Sequence, residues 1–169
     1  MDGDGWVLLD ISEIPGAFAP PDEPGLTRTQ REEARARLRE RPPGQTARNE
    51  QAAREFPGFG RNWHAIRQNL GITAFGVNAN EGDAGDLLFI PHDEAEHGHE
   101  EIYVVVRGRA RFEVDGEVFE AGPGHLLYAR AGVLRSANAV EDGTLVLAVG
   151  GLPGTYEPPI WASDWRPPG

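Results

Sequence analysis

The chain has 169 residues, enough for one domain with a real core but short of two comfortable ones. Its 27 acidic residues face 16 basic ones, every one an arginine, and the resulting charge of −11 argues against nucleic acid or an anionic membrane surface as partner. Cysteine is absent, which removes disulfides and thiolate chemistry, and the acidic start MDGDGWVLLD has no basic n-region or long apolar run, so a soluble, cytoplasmic protein is expected.

Residues 6–12, WVLLDIS, read as a short strand or an anchoring segment, and the Pro/Gly-rich run from Pro15 to Gly25 stops any regular element after it. Thr27 and Gln30 have capping-box spacing, and the strong helix formers that follow predict a helix as far as Pro42. That helix is nearly all charge, with its arginines read as a solvated face paired to Glu32, Glu33 and Glu40. Residues 46–55 predict a second short helix. A third is predicted over RNWHAIRQNLG, with Trp63, Ile66 and Leu70 on one face and Gly71 as its C-cap. His64 falls off that face and reads as an ordinary surface or capping histidine.

From Ile72 the pattern turns to strands: ITAFGVNAN, GDLLFI, EIYVVVRG, ARFEVDGEVFEA, HLLYAR and TLVLAVGG, at the spacing of an all-β barrel or sandwich. Asp115-Gly116 between alternating runs predicts a type I′ hairpin, with Ala110, Phe112 and Val114 opposite Val118 and an outer face of Arg109, Arg111, Glu113 and Asp115. The tail after Gly151 is too rich in proline for a central strand. Its Trp161 and Trp165 are expected to pack back on the barrel or onto a partner subunit.

The segment from His92 to Gly108, HDEAEHGHEEIYVVVRG, is the densest in chemistry: three histidines and several acids run straight into an apolar strand. Imidazole and carboxylate are common ligands of first-row metals. Glu101 followed by six residues and Gly108, His97 four positions before Glu101, Gly124 with Gly132, and Asn138 together make residues 85–151 resemble a cupin. The resemblance implies a mainly β fold, a double-stranded β-helix (jelly-roll) barrel over residues 72–151. An N-terminal arm and α-helical extension over 1–71 would pack on it, with the Pro/Trp-rich tail over 152–169. It also implies a homodimer, as cupin barrels commonly pair through a sheet edge.

Cupins of this kind usually bind metal through two histidines and a glutamate of the first motif and one histidine of the second. Here Ala95 stands two before His97, Arg130 stands at the motif proline, and Arg135 replaces the second-motif histidine. The first-motif loop is longer by about four residues, which lets His92 supply a displaced ligand. Three readings follow. His92, His97, His99 and Glu101 could hold a divalent ion (Fe, Mn, Ni or Zn) in an enzyme of dioxygenase or isomerase type. Alternatively Arg135 pairs with Glu101 inside a metal-free barrel, and His97, Glu101, Tyr103, Arg130 and Arg135 bind a small, anionic molecule. In the third, these residues merely satisfy one another. The metal-free, ligand-binding reading is the expectation. His125 reads as a turn residue at the barrel rim.

Overall fold

The computed structural model describes residues 2–3, 6–7, 10–14 and 63–157. The helices expected over 27–42 and 46–55, and the tail tryptophans, lie outside the described residues. Strands β1 (Asp2–Gly3) and β2 (Trp6–Val7) pair with each other. A 3-10 turn at Ile11–Glu13 follows, capped by the Asp10 side chain, which accepts from Ser12 N at 2.9 Å. Within residues 6–12, Trp6–Val7 form a short strand, and beyond it Ile14 buries against Ile66, Val77, Ala79 and Leu145.

The third predicted helix shortens to α1 (Ile66–Leu70), because β3 (Trp63–His64) is drawn into pairing with β4 (Gly76–Gly82). Gly71 does end the helix, at φ +64, where a side chain would be strained. His64 is not a surface histidine. Its Nδ1 lies 2.7 Å from the Ile14 carbonyl, its Nε2 3.5 Å from Glu81, and it is buried between the N-terminal turn and the sheet. Its pairing with residues far away in sequence, rather than local periodicity, sets that position.

The remaining strands are β5 (Leu87–His92), β6 (Glu100–Arg107), β7 (Ala110–Val114), β8 (Glu117–Ala121), β9 (Leu126–Ala129), β10 (Arg135–Ala139) and β11 (Thr144–Gly151). They form two antiparallel sheets, β5-β10-β7-β8 and β3-β4-β11-β6-β9. Together these make the mainly β jelly-roll barrel. Inward residues of both sheets build one core, from Leu88, Phe89, Tyr103, Val105, Phe112 and Val146 to the small Ala110, Ala129, Ala137 and Ala139. Each large apolar member contributes roughly 1.5–3 kcal/mol by leaving water. No helix among the described residues is long and apolar enough to cross a membrane.

β10 has no strand-like run of residues: Arg135-Ser136-Ala137-Asn138-Ala139 is poor in β-branched and aromatic side chains. It is a strand because its alanines fit the packed interior between β5 and β7, a tertiary requirement that local propensity does not carry. The Asp115-Gly116 turn has positive φ at both central residues (+48 and +85), as a type I′ hairpin requires. Its register corrects one expected pair: Val118 lies opposite Glu113 on the outer face, while Phe119 and Ala121 face Phe112 and Ala110. A two-residue turn leaves Val114 paired with Glu117, so the alternation places Val118 outside.

Gly108 closes β6 at φ +70, and a Cβ there would sit 2.8 Å from Thr144 Cα. Gly116 also has positive φ but faces open space. Gly108→Ala is expected to lower stability in urea unfolding by about 2 kcal/mol more than Gly116→Ala, which carries only the conformational cost of about 1 kcal/mol. Equal losses would show that the close approach to Thr144 is not limiting.

Candidate functional site

The site is assembled from three strands. His92 closes β5 and lies directly opposite Arg135, the first residue of β10. Across the barrel, β6 alternation sends Glu101 and Tyr103 inward, where Ala148 and Gly150 of β11 are their neighbours. A Cβ on Gly150 would come within 2.8 Å of Glu101 Cγ, so this glycine makes room for the glutamate side chain. Phe89 stacks on Tyr103 with ring centroids 4.5 Å apart and meets His92 edge-on at 5.8 Å, which fixes both rings.

Arg135 is completely buried. Its Nη2 donates to Glu101 Oε2, its Nε to the Tyr103 hydroxyl at 3.1 Å, and its Nη1 to the Val133 carbonyl at 3.0 Å. Tyr103 in turn donates to the same Glu101 oxygen. His92 Nδ1 lies 2.7 Å from the Ile90 carbonyl, which can only accept, so Nε2 is the nitrogen turned to the site. That nitrogen is 3.4 Å from Glu101 Oε2 and 3.1 Å from the Tyr103 oxygen.

Burial opposes the charge on Glu101, but the contact with His92 and the hydrogen bonds from Tyr103 and Arg135, with the guanidinium charge, outweigh it and hold the carboxyl at about 2. Tyr103 is pushed far up, first by burial and then by the adjacent carboxylate, so the phenol stays neutral. Arg135 is raised despite its burial, through its bonds to Tyr103 and Glu101.

His97 and His99 are not at this network. The expected alternation through 97, 99 and 101 fails because β6 begins only at Glu100, after a turn with Glu94 at φ +54 and Gly98 at φ +68. Both imidazoles are well exposed, with Nδ1 at 3.4 and 3.5 Å from Glu94 Oε2. Arg130 is exposed in the turn after β9. His125 bonds back to the Gly122 carbonyl at 2.9 Å, as a turn residue does. Glu94 is the participant that sequence reasoning missed. The signal lay two residues after His92, where the family's H-x-H step, started at His92 instead of Ala95, falls on a glutamate.

Ligand atoms of His92, Glu94 and Glu101 lie within 4.8 Å of one another, and one imidazole with two carboxylates suits a divalent first-row ion. As arranged, the set does not fit one. Glu101 Oε2 already takes the guanidinium and the phenol, and a cation about 4 Å from Arg135 would meet repulsion on the order of 4 kcal/mol per unit charge at an effective dielectric of 20. A cleft of about 540 Å³ opens at this end of the barrel, lined by Arg67, Phe75, Asn78, Glu94, His99 and Glu101 among others.

Because the Glu101 carboxyl falls from 4.5 to about 2 on folding, its contribution to stability is full above pH 4.5 and is lost as pH falls from there towards 2. The shift corresponds to roughly 3 kcal/mol. Glu101→Gln is expected to cost at least about this much at pH 7, since it leaves Arg135 buried without a counter-charge. The gap between the two proteins in urea unfolding should narrow from pH 4.5 downward; a gap that stays constant with pH would contradict the assignment.

The family profile described as Cupin domain matches residues 88–150. A cupin protein from Bacteroides fragilis has 24% identity over 60% of this chain and 85% of its own, with a TM-score of 0.52, a likeness in fold. KdgF from Halomonas sp. has 26% identity over 45% of this chain and a TM-score of 0.42. A sugar phosphate isomerase from Silicibacter pomeroyi has 22% identity over 52% of this chain and a TM-score of 0.45. The chain spans 66% and 57% of the lengths of these last two proteins. No curated protein matches the sequence. The jelly-roll strand order, the Glu101–Gly108 step and the profile match agree, and residues 88–150 carry a cupin domain.

Proposed function

We propose that this cupin binds a small polar molecule in the cleft at the mouth of its barrel and works without a metal. The observation that carries the reading is the bond from Arg135 to Glu101 Oε2: the carboxylate that would anchor an ion already has a permanent cation as its partner. His92, Tyr103, Glu101 and Arg135 form a closed network of which Glu101 reaches the cleft, and the open groups of the cleft lie beside it.

The ligand's charge follows from that division of labour. An anion would need an excess of positive charge, yet Arg135 has its three nitrogens on protein oxygens, Arg130 does not line the cleft, and Arg67, which does, is opposed by two carboxylates. The charged groups that do line it are Glu94 and Glu101 against Arg67, with His99 beside them. Mixed signs of this kind favour a neutral, hydrogen-bonding molecule over the anion expected from the sequence. Phe75, exposed at the rim, offers such a ligand an apolar face. The alternative of a metal-dependent dioxygenase or isomerase has no comparable support, since His97 and His99 are turned to Glu94 instead of Glu101.

Protein purified without chelator is expected to hold well under a tenth of an equivalent of transition metal and to melt at the same temperature with and without EDTA. Stoichiometric metal, lost in a His92→Ala, Glu101→Ala double variant, would overturn the reading. Gly151 lines the cleft, and a Cβ there meets nothing within 4 Å. Gly151→Leu should therefore keep the melting temperature within a few degrees while abolishing the stabilisation given by neutral polar compounds in a thermal-shift screen. If anions stabilise and neutral compounds do not, the proposed ligand class is wrong.

A further inference from the structure

We propose that the Arg135 guanidinium is the resident cation of a latent divalent-metal site, so that this one side chain decides whether the barrel binds metal. The inference rests on the metal-free reading above. It adds that the other groups are already placed as ligands and that only Arg135 keeps an ion out.

Four observations carry it. First, a His92 ring nitrogen, a Glu94 carboxylate oxygen and a Glu101 carboxylate oxygen lie within 4.8 Å of one another, and His92 Nε2 is 3.4 Å from Glu101 Oε2. Atoms bound to one ion at about 2.1 Å stand roughly 3–4 Å apart, so a shift of under an ångström each would complete the set. Second, His92 is held as metal-bound histidines usually are: its far nitrogen is tied to the Ile90 carbonyl, leaving Nε2 forward. Third, Glu101 is steadied by the Tyr103 hydroxyl and fits against Gly150, where any larger residue would push it away. Fourth, Arg135 is the direct cross-strand partner of His92, and its Nη2 touches the Glu101 oxygen that faces His92 Nε2. A positive charge at that point satisfies the carboxylate in the way an ion would. It also repels any second cation.

Arg135→His shortens the side chain, removes the fixed charge and offers an imidazole from the same strand position. Arg135→Met removes the charge while keeping an apolar stem of similar length. Cobalt(II) is the probe, read by its visible absorption and by titration calorimetry on the full chain. The wild type is expected to show no saturable cobalt band. Arg135→His should bind one equivalent at least about 100-fold more tightly, with binding lost again when His92→Ala is added. Should Arg135→His not fold, Arg135→Met takes its place. Should neither fold alone, supplying cobalt is expected to restore the folded state, because binding and folding are linked.

A folded Arg135 variant that binds cobalt no better than wild type, or an unfolded one that cobalt fails to rescue, overturns this inference and leaves the metal-free reading intact. Stoichiometric cobalt binding by the wild type, lost in His92→Ala, overturns the metal-free reading itself, and this inference with it.

Discussion

The structure turns on one buried ion pair. Arg135 stands on β10 of one sheet and Glu101 on β6 of the other, so their bond spans the barrel and ties the two sheets together at its open end. Such a pair is not strongly stabilising by itself, because the cost of taking both charges out of water offsets most of their attraction. What it does enforce is mutual dependence. With Arg135 fully buried, losing the carboxylate would strand a charge in the interior, and the hydroxyl of Tyr103 stays in place between them by serving both.

That constraint orders the surrounding residues. Gly150 has no side chain because Glu101 lies against it, and Phe89 stacks on Tyr103 while turning an edge to His92. The outcome is a floor in which each buried polar group has a partner and the net charge is close to balanced. Beside it, Glu94, His99, Arg67 and Phe75 line the cleft. The Glu101 oxygen that faces His92 Nε2 is the one the guanidinium occupies.

The loop between β5 and β6 shows how far a few backbone angles can move chemistry. Positive φ at Glu94 and Gly98 folds the segment back on itself, so His97 and His99 gather around the Glu94 carboxylate at the surface. Histidines spaced two apart next to a strand look like neighbours of Glu101 in an extended chain. In the turn they are not, and Glu94 is the residue of this loop whose carboxylate lies within 4.8 Å of ligand atoms of both His92 and Glu101.

Much of the framework was legible from local chemistry. Glu101 seven positions before Gly108 matched the family's motif, and the Asp115-Gly116 turn and the C-cap at Gly71 follow from rules acting over a few residues, above all the positive φ that glycine tolerates best. The opposition of Arg135 to Glu101 was likewise readable as an alternative, because both stood at positions that such a barrel turns inward. Only the tertiary structure decided the rest. Arg135-Ser136-Ala137-Asn138-Ala139 became a strand because small side chains were needed between β5 and β7, and His64 became buried because Ile14 and Glu81, distant in sequence, close over it. Glu94 entered the site, and His97 and His99 left it, through a turn whose direction no period of two or 3.6 encodes. Sequence thus determined which residues could face the barrel, and long-range packing decided which of them meet, because contact depends on strand pairing across the fold and not on spacing along the chain.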